Sequence, residues 1–254
     1  MSELCFYVIP PKNVSKEIKE EIEKFPEIWF VTGIPFMFEK GLKYIPTIIS
    51  LACGMKEPGE KIILSLSSGA SVPEEVRYSA GDDDGELEIS EEQAKIIEET
   101  FKELKQKVKV RKRRDFEGGW EYRINWPSDI LDLKEVQEEA KKLANSNEVI
   151  ISKDNPKDLA IIRRMLERRW DNEMASIEYW VRERPEIVAE EAKQRLLLKD
   201  DKQAKEKYIE ENIDSEIESE NNSLREWGEY FLKALELHKK YPKVRFWFIV
   251  TGPS

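Results

Sequence analysis

Apolar runs and helical apolar stripes alternate along the first quarter of the chain. Three continuous apolar runs predict buried strands: residues 4–9, 28–31 and 61–66. Two stretches with helical character separate them: residues 14–25 and 36–53. The order strand, helix, strand, helix, strand is typical of a parallel sheet with crossover helices. We therefore expect a mixed α/β fold with a partly parallel sheet.

The middle of the chain changes to hairpin and helix patterns. Two hairpins are predicted around glycine turns, with strands at 76–79 and 86–89 and at 107–114 and 120–126. Between them, Ser90 and Gln93 form a capping box that opens a helix to about residue 106. A helix at 133–143 and a strand at 148–152 follow.

The second half of the chain has a helical pattern from residue 156 to residue 240. Pro185 splits it, and an acidic patch rich in serine and asparagine at 212–223 predicts a loop or a frayed turn. The last apolar run, residues 244–250, predicts a strand that must be covered, so we expect the chain end to return to the sheet of the first half. The predicted organisation is a mixed α/β domain at 1–153, a helical region at 154–240 and a terminal strand segment at 241–254.

Composition narrows the class of protein without naming an activity. Charged residues make up 37% of the 254 residues, with only one histidine, a bias typical of heat-adapted proteins. No signal peptide is visible and no apolar stretch is long enough to span a bilayer, so we expect a cytoplasmic protein with no membrane partner. Cys5 and Cys53 are interpreted as small buried hydrophobes. Together with His238 they make a classical zinc site very unfavourable, and no metal or cofactor is predicted.

The segment from Lys102 to Arg123 is basic in an acidic chain. It holds nine lysines or arginines against four acidic residues, a net charge of +5, whereas the whole chain carries −10. Strand alternation would place four of these cations on one face of the second hairpin, which becomes a basic hairpin with an apolar back. Such a face suits a nucleic-acid phosphate backbone. The predicted binding residues are Lys107, Lys109, Arg111, Lys112, Arg113, Arg114, Tyr122 and Arg123, with Tyr122 or Phe116 available for base stacking.

Two other interpretations of the basic segment stay open. Acidic side chains from elsewhere in the protein could neutralise it, or it could bind an acidic partner protein. A second basic cluster lies on a predicted helix and consists of Arg163, Arg164, Arg168 and Arg169. Acidic residues interleave with it, which is typical of a solvated salt-bridge face, with phosphate binding as the alternative.

Hydroxyl and glycine residues follow several of the predicted strands. Ligands bind at the carboxyl edge of open parallel sheets, where glycine admits a close ligand and hydroxyls donate to anionic oxygens. The candidate ligand-binding residues are Thr32, Gly33, Ser67, Ser68, Gly69 and Ser71, with Thr251 and Gly252 following the last strand. Ordinary turn chemistry explains the same residues.

Three functions follow from these features. The first is binding of DNA or RNA through the basic hairpin, and the second is a Rossmann-like sensor or enzyme that handles a nucleotide or an oligonucleotide at the strand-end turns. The third is a subunit of a larger complex that binds a partner protein through helices in 156–240. No catalytic residues are nominated, so the sequence leaves open whether the protein is an enzyme.

Overall fold

The computed structural model describes residues 5–26, 28, 33–52, 63–65, 86–88, 90–107, 126–145, 147 and 149–251. Most of these residues are helical. The helices are α1 (Lys16–Glu23), α2 (Ile34–Glu39), α3 (Tyr44–Ala52), α4 (Glu91–Lys107), α5 (Lys134–Ala144), α6 (Pro156–Glu183), α7 (Glu190–Leu196) and α8 (Lys202–Lys240), with a 3₁₀ turn at Ser128–Asp132. The short strands are β1 (Cys5–Ile9), β2 (Ile63–Ser65), β3 (Glu86–Glu88), β4 (Trp126–Pro127) and β5 (Trp247–Thr251).

The predicted α/β fold with a partly parallel sheet is wrong. The described strands are few, and every pairing among them is antiparallel. β5 lies between β1 and β4, and β2 pairs with β3 in a separate two-stranded sheet. Among the described strands, the partner of β1 is β5 from the far end of the chain, and the two run antiparallel instead of forming a parallel pair. Apolar runs predict strands, but they carry no information about which strand is the neighbour.

The predicted basic hairpin is also wrong at both of its described ends. Lys107 is the last residue of α4 and not the start of a strand. Trp126 pairs with Phe248 of β5, a strand at the far end of the chain. Helical spacing continues through Lys107, whose side chain reaches Glu135 on α5, and β4 finds its partner at the far end of the chain. The remaining hairpin residues, 108–125, lie outside the described residues.

Two local predictions are wrong in the second half of the chain. Residues 212–223 belong to the continuous helix α8, although their composition predicts a loop. Ile213 is buried in this stretch and Leu224 directly after it, and tertiary packing of this kind overrides weak helix propensity. The strand expected at 148–152 is absent from its described residues, where the Ser152 amide donates instead to Asp158 at the start of α6 (3.1 Å).

Several helix boundaries follow the local sequence closely. The capping box at the start of α4 is confirmed, because the Ser90 amide donates to Gln93 Oε1 and the Gln93 amide donates to Ser90 Oγ, both at 3.2 Å. The predicted helix at 133–143 corresponds to α5. These boundaries depend on residues three or four positions apart, so local sequence determines them.

The described residues divide into two compact units. The first, which we call the helical unit, contains residues 151–219. The second, the mixed unit, contains the described residues of 2–69, 86–150 and 220–254. Its core is aromatic. The ring centre of Phe248 on β5 lies 6.0 Å from that of Phe231 and 6.3 Å from that of Tyr230, and both of these residues are on α8. Phe246 and Trp227 are fully buried in the same core.

A buried carboxylate holds the start of α3 in the mixed unit. Glu139 on α5 accepts the backbone amides of Lys43 (2.7 Å), Tyr44 (3.0 Å) and Ile45 (2.7 Å). These amides have no partner within their own helix, so Glu139 caps α3 from another element. Burial raises the pKa of Glu139 above its ordinary value, while the three amide hydrogen bonds act in the opposite direction.

A glycine allows α8 to approach the end of α5. A Cβ placed on Gly228 would lie 2.2 Å from the backbone nitrogen of Ala144 and 2.6 Å from the carbonyl carbon of Leu143. Backbone atoms cannot rotate away as a flexible side chain can, so any larger residue at this position would force the two helices apart.

We predict that Gly228→Ala destabilises the protein, even though alanine is the better helix former by about 1 kcal/mol. Overpacking at a buried contact costs roughly 1–3 kcal/mol, and here the clash is with backbone. Thermal unfolding followed by circular dichroism would measure the loss. Glu229→Ala, an exposed change at the next position of the same helix, should leave the midpoint nearly unchanged. A Gly228→Ala variant as stable as the wild type would contradict the close approach.

We predict that Glu139→Gln lowers the free energy of unfolding, because an amide group cannot accept all three backbone N–H groups. The lost acceptor costs about 1–3 kcal/mol. Since the folded-state pKa of Glu139 is raised, its contribution is fully present below the ordinary glutamate pKa and decreases as the pH rises through the raised value. Chemical unfolding at several pH values should therefore show a wild-type advantage that shrinks as the pH rises. An advantage that grows over that interval would contradict the direction of the shift.

Candidate functional site

The structure describes only one of the predicted nucleic-acid-binding residues, Lys107. Its Nζ lies 2.8 Å from Glu135 Oε1 and 5.3 Å from the ring centre of Tyr44, and the hydrogen bond with Glu135 raises the pKa of Lys107. This cation is therefore engaged within the mixed unit. The others lie outside the described residues: Lys109, Arg111, Lys112, Arg113, Arg114, Tyr122 and Arg123. Nucleic-acid binding stays a prediction.

Of the predicted ligand-binding residues, the structure describes Gly33. It precedes α2 with φ of +84°, a conformation that L side chains rarely adopt. This backbone conformation explains why glycine stands here, and an added Cβ would also lie 3.0 Å from Leu224 Cδ2 on α8. Thr251 is described as the end of β5, where its backbone pairs with Cys5. The other candidates lie outside the described residues: Thr32, Ser67, Ser68, Gly69, Ser71 and Gly252. Ligand binding at these turns stays a prediction as well.

The second basic cluster joins the two long helices of the helical unit. Arg163 on α6 donates to Glu206 and, at 2.6 Å, to Glu210 on α8. Arg169 donates to both carboxylate oxygens of Glu216 at 2.6 and 2.7 Å. The interpretation of this cluster as a salt-bridge face is therefore confirmed for Arg163 and Arg169.

Further ion pairs continue towards the turn between the helices. Lys205 Nζ lies 2.8 and 2.9 Å from the carboxylate oxygens of Asp171. Arg195 donates through both terminal nitrogens to Glu173, and Lys199 donates to Glu178. These pairs join α6 both to the first turn of α8 and to Arg195 and Lys199, which precede that helix.

The apolar core of the helical unit stops before these helices end. The buried residues of α6 include Ile161, Ile162, Leu166, Trp170 and Met174, and the first buried residue of α8 is Ile209. All residues from 175 to 205 are described, and not one of them is buried. This stretch, which we call the turn segment, contains the end of α6, all of α7 and the start of α8. Ion pairs and partly covered side chains hold it in place.

Four large apolar side chains of the turn segment face solvent. Their exposed fractions are 38% for Trp180, 60% for Ile187, 76% for Leu197 and 42% for Leu198. We call these four residues the apolar group. Outside the turn segment, Ile150 is the exposed large apolar residue among the described residues, with an exposed fraction of 48%.

An ion pair brings two parts of the apolar group to the same end of the helical unit. Lys199 directly follows Leu197 and Leu198, and it donates to Glu178, which stands two residues before Trp180. Ile187 lies in the link between α6 and α7, where its amide donates to the Arg184 carbonyl at 3.2 Å. The aromatic ring of Trp180 itself lies edge-on to Tyr179, with ring centres 5.2 Å apart.

Sequence reasoning identified the helices of this region but missed the apolar group. The available signal was the run of three leucines at 196–198, directly before Lys199 and two aspartates. Three consecutive apolar residues cannot all face one side of a helix, so part of such a run is exposed unless another element covers it.

The rest of the described chain shows no competing site of a familiar kind. Within the described residues, no three His, Cys, Asp or Glu side chains cluster so as to hold a metal ion. None of the helices in that part of the chain combines the length and apolar character needed to cross a membrane. No family model, curated protein or solved structure matches the chain. The apolar group is therefore interpreted from its own geometry.

We predict that Arg169→Ala destabilises the helical unit. Glu216 is only 4% exposed, so its carboxylate would lose two charge-assisted hydrogen bonds while staying buried. Such bonds contribute about 1.5–3 kcal/mol. Arg164→Ala is a matched control, because Arg164 is exposed and donates to Ala160 of its own helix. Urea unfolding followed by circular dichroism would compare the two, and equal midpoints would contradict the proposed role of Arg169.

Proposed function

We propose that this protein is a protein–protein interaction module, the subunit of a complex that binds its partner through the turn segment of the helical unit. The observation that carries the proposal is the exposure of Trp180, Ile187, Leu197 and Leu198 in a stretch without a buried residue. Exposed apolar side chains that gather at one end of a unit are typical of binding surfaces. Tryptophan is also among the residues that most often dominate binding energy.

The charge of the turn segment favours a protein over a nucleic acid as the partner. Residues 175–205 contain seven basic and seven acidic side chains, so their net charge is zero. Binding to a phosphate backbone depends on an excess of lysine and arginine, which this surface does not have. An apolar group with charges of both signs around it resembles the usual composition of a protein interface, with an apolar centre and a polar rim.

The energetics of the turn segment also support a partner. Ion pairs between exposed side chains contribute about 0–1 kcal/mol each and weaken as salt is added. Full burial of a leucine or isoleucine side chain contributes about 1.5–3 kcal/mol. A partner that covers the apolar group would therefore supply the kind of stabilisation that the helical unit lacks in this stretch.

We predict that a photo-reactive amino acid at position 197 forms a covalent adduct with a protein in the cells that naturally make this chain. The same label at position 150 is the matched control, because Ile150 is similarly exposed but lies in the mixed unit. Mass spectrometry of the adducts would identify the protein and the residues joined.

Three results would contradict this proposal. One is the absence of a protein adduct at position 197, and another is an equal yield of the same adduct at positions 197 and 150. The third is an adduct at position 197 that nuclease removes and protease does not, since it would assign the surface to a nucleic acid.

A further inference from the structure

We infer that residues 184–201 form a strap that closes over the end of α6, and that salt controls its opening. The strap contains α7 and the links on either side of it. The inference goes beyond the proposed function, because it concerns the free chain and holds with or without a partner. It gives this end of the helical unit two states, one with α7 on α6 and one with α7 released.

The apolar stripe of α6 continues beyond the buried core of the helical unit. Its buried members follow helical spacing: Ile162, Leu166, Trp170 and Met174. Ile177 and Val181 continue the same spacing but are only half-buried. In the buried part, α8 covers the stripe, since the ring centre of Tyr208 lies 5.2 Å from that of Trp170. The last two members therefore need another cover.

Two ion pairs hold the strap against this last part of α6. α7 packs on α6, and Arg195 at its end donates to Glu173 at 2.8 Å. Directly after α7, Lys199 donates to Glu178. Glu173 lies one helical turn before Ile177, so the first pair brings α7 to the side of α6 that carries the apolar stripe.

The half-buried residues of α7 lie on the side that reaches α6. Ala192 and Leu196 are one helical turn apart, and Arg195 lies on the same side of the helix. These three residues are half-buried, whereas Glu191 and Gln194 are exposed. The strap therefore covers the end of the α6 stripe with side chains that are themselves only partly covered.

The contacts that close the strap are weak and depend on salt. The four side chains of its two ion pairs to α6 are between 32% and 56% exposed, and pairs of this kind weaken as salt is added. A helix as short as α7 is marginal in water by itself. Its N-cap residue, Ala189, makes no side-chain hydrogen bond to strengthen it. α7 thus depends on its contacts with α6.

Both ends of the strap are fixed by contacts that its opening leaves intact. The Arg184 amide donates to the Trp180 carbonyl at 2.8 Å and ends α6. Asp201 accepts the Gln203 amide at 2.8 Å and begins α8. Because neither contact involves α7, the strap opens while the two long helices stay formed.

Opening of the strap enlarges the apolar surface of the turn segment. Ile177 and Val181 become exposed beside Trp180, which is already 38% exposed in the closed state. Salt therefore regulates how much of the α6 stripe is accessible.

Hydrogen exchange of the full chain, followed by mass spectrometry of its peptides, tests the inference. Amides of α7 should exchange faster than those of residues 161–174, where α6 is buried. Raising the sodium chloride concentration should increase the α7 exchange rate about two- to fivefold, because screening weakens the ion pairs. The exchange of residues 161–174 should not follow salt, and it also shows that the protein is folded.

Single variants test whether the pairs with α6 hold the strap. At low salt, Arg195→Ala should raise the α7 exchange rate by a similar factor of about two to five. Lys193→Ala is the matched control, because Lys193 pairs with Glu190 inside α7 at 3.7 Å and should keep nearly the wild-type rate. The double variant Glu173→Arg, Arg195→Glu should restore protection that either change alone removes.

Thiol labelling distinguishes release of α7 from its unfolding in place. Val181→Cys places a thiol under the strap, and Arg164→Cys places one at an exposed position of the same helix. Peptide mapping after reaction with a maleimide locates the label. The ratio of the labelling rate at 181 to that at 164 should rise with salt in step with the exchange of α7.

Four results would overturn the strap. They are α7 amides as protected as residues 161–174, α7 amides that exchange like an unstructured peptide at low salt, equal rates in Arg195→Ala and Lys193→Ala, and a labelling ratio that salt does not change. None of them bears on the proposed function, which the adducts at position 197 decide. Adducts without opening leave the interaction module with a fixed surface, and opening without adducts leaves the strap alone.

Discussion

Charged contacts hold the helical unit together where its apolar core has ended. Arg163 and Arg169 join α6 to α8 beside a buried stripe, whereas Glu173 and Glu178 bind Arg195 and Lys199 of the turn segment, in which no side chain is buried. Such pairs specify which helix faces which, but each contributes little free energy in water. The turn segment therefore has a defined geometry and exposes apolar side chains at the same time. A defined geometry combined with exposed apolar side chains is the arrangement expected of a protein-binding surface.

The mixed unit differs from the helical unit in that buried polar side chains connect its elements. The carboxylate of Glu139 accepts hydrogen bonds from three amides at the start of α3, which have no acceptor within that helix. His238, only 5% exposed, places Nε2 2.8 Å from Asp132 Oδ1. Gly228 removes the side chain that would otherwise separate α8 from α5. Each device connects elements far apart in the chain, so the unit depends on contacts between individual residues as well as on its aromatic core.

Part of the candidate site could be predicted from the sequence, and part could not. The apolar stripe of α6 and the interleaved charges of Arg163 and Arg169 are visible in the order of residues, because helical periodicity is a local property. The exposure of Leu197 and Leu198 is not visible in the same way. Whether an apolar residue is buried depends on which other element covers it, and the position where the core stops follows from the packing of α6 against α8.

The sequence by itself determined where several helices begin and end. Ser90 and Gln93 show this most clearly, since their reciprocal hydrogen bonds join residues three positions apart. Only the tertiary structure decided that β1 pairs with β5, that residues 212–223 continue α8, and that Lys107 ends a helix. The physical reason is the same in each case. Strand partners, buried faces and ion pairs join residues that are distant in the chain, and local propensity carries no information about that distance.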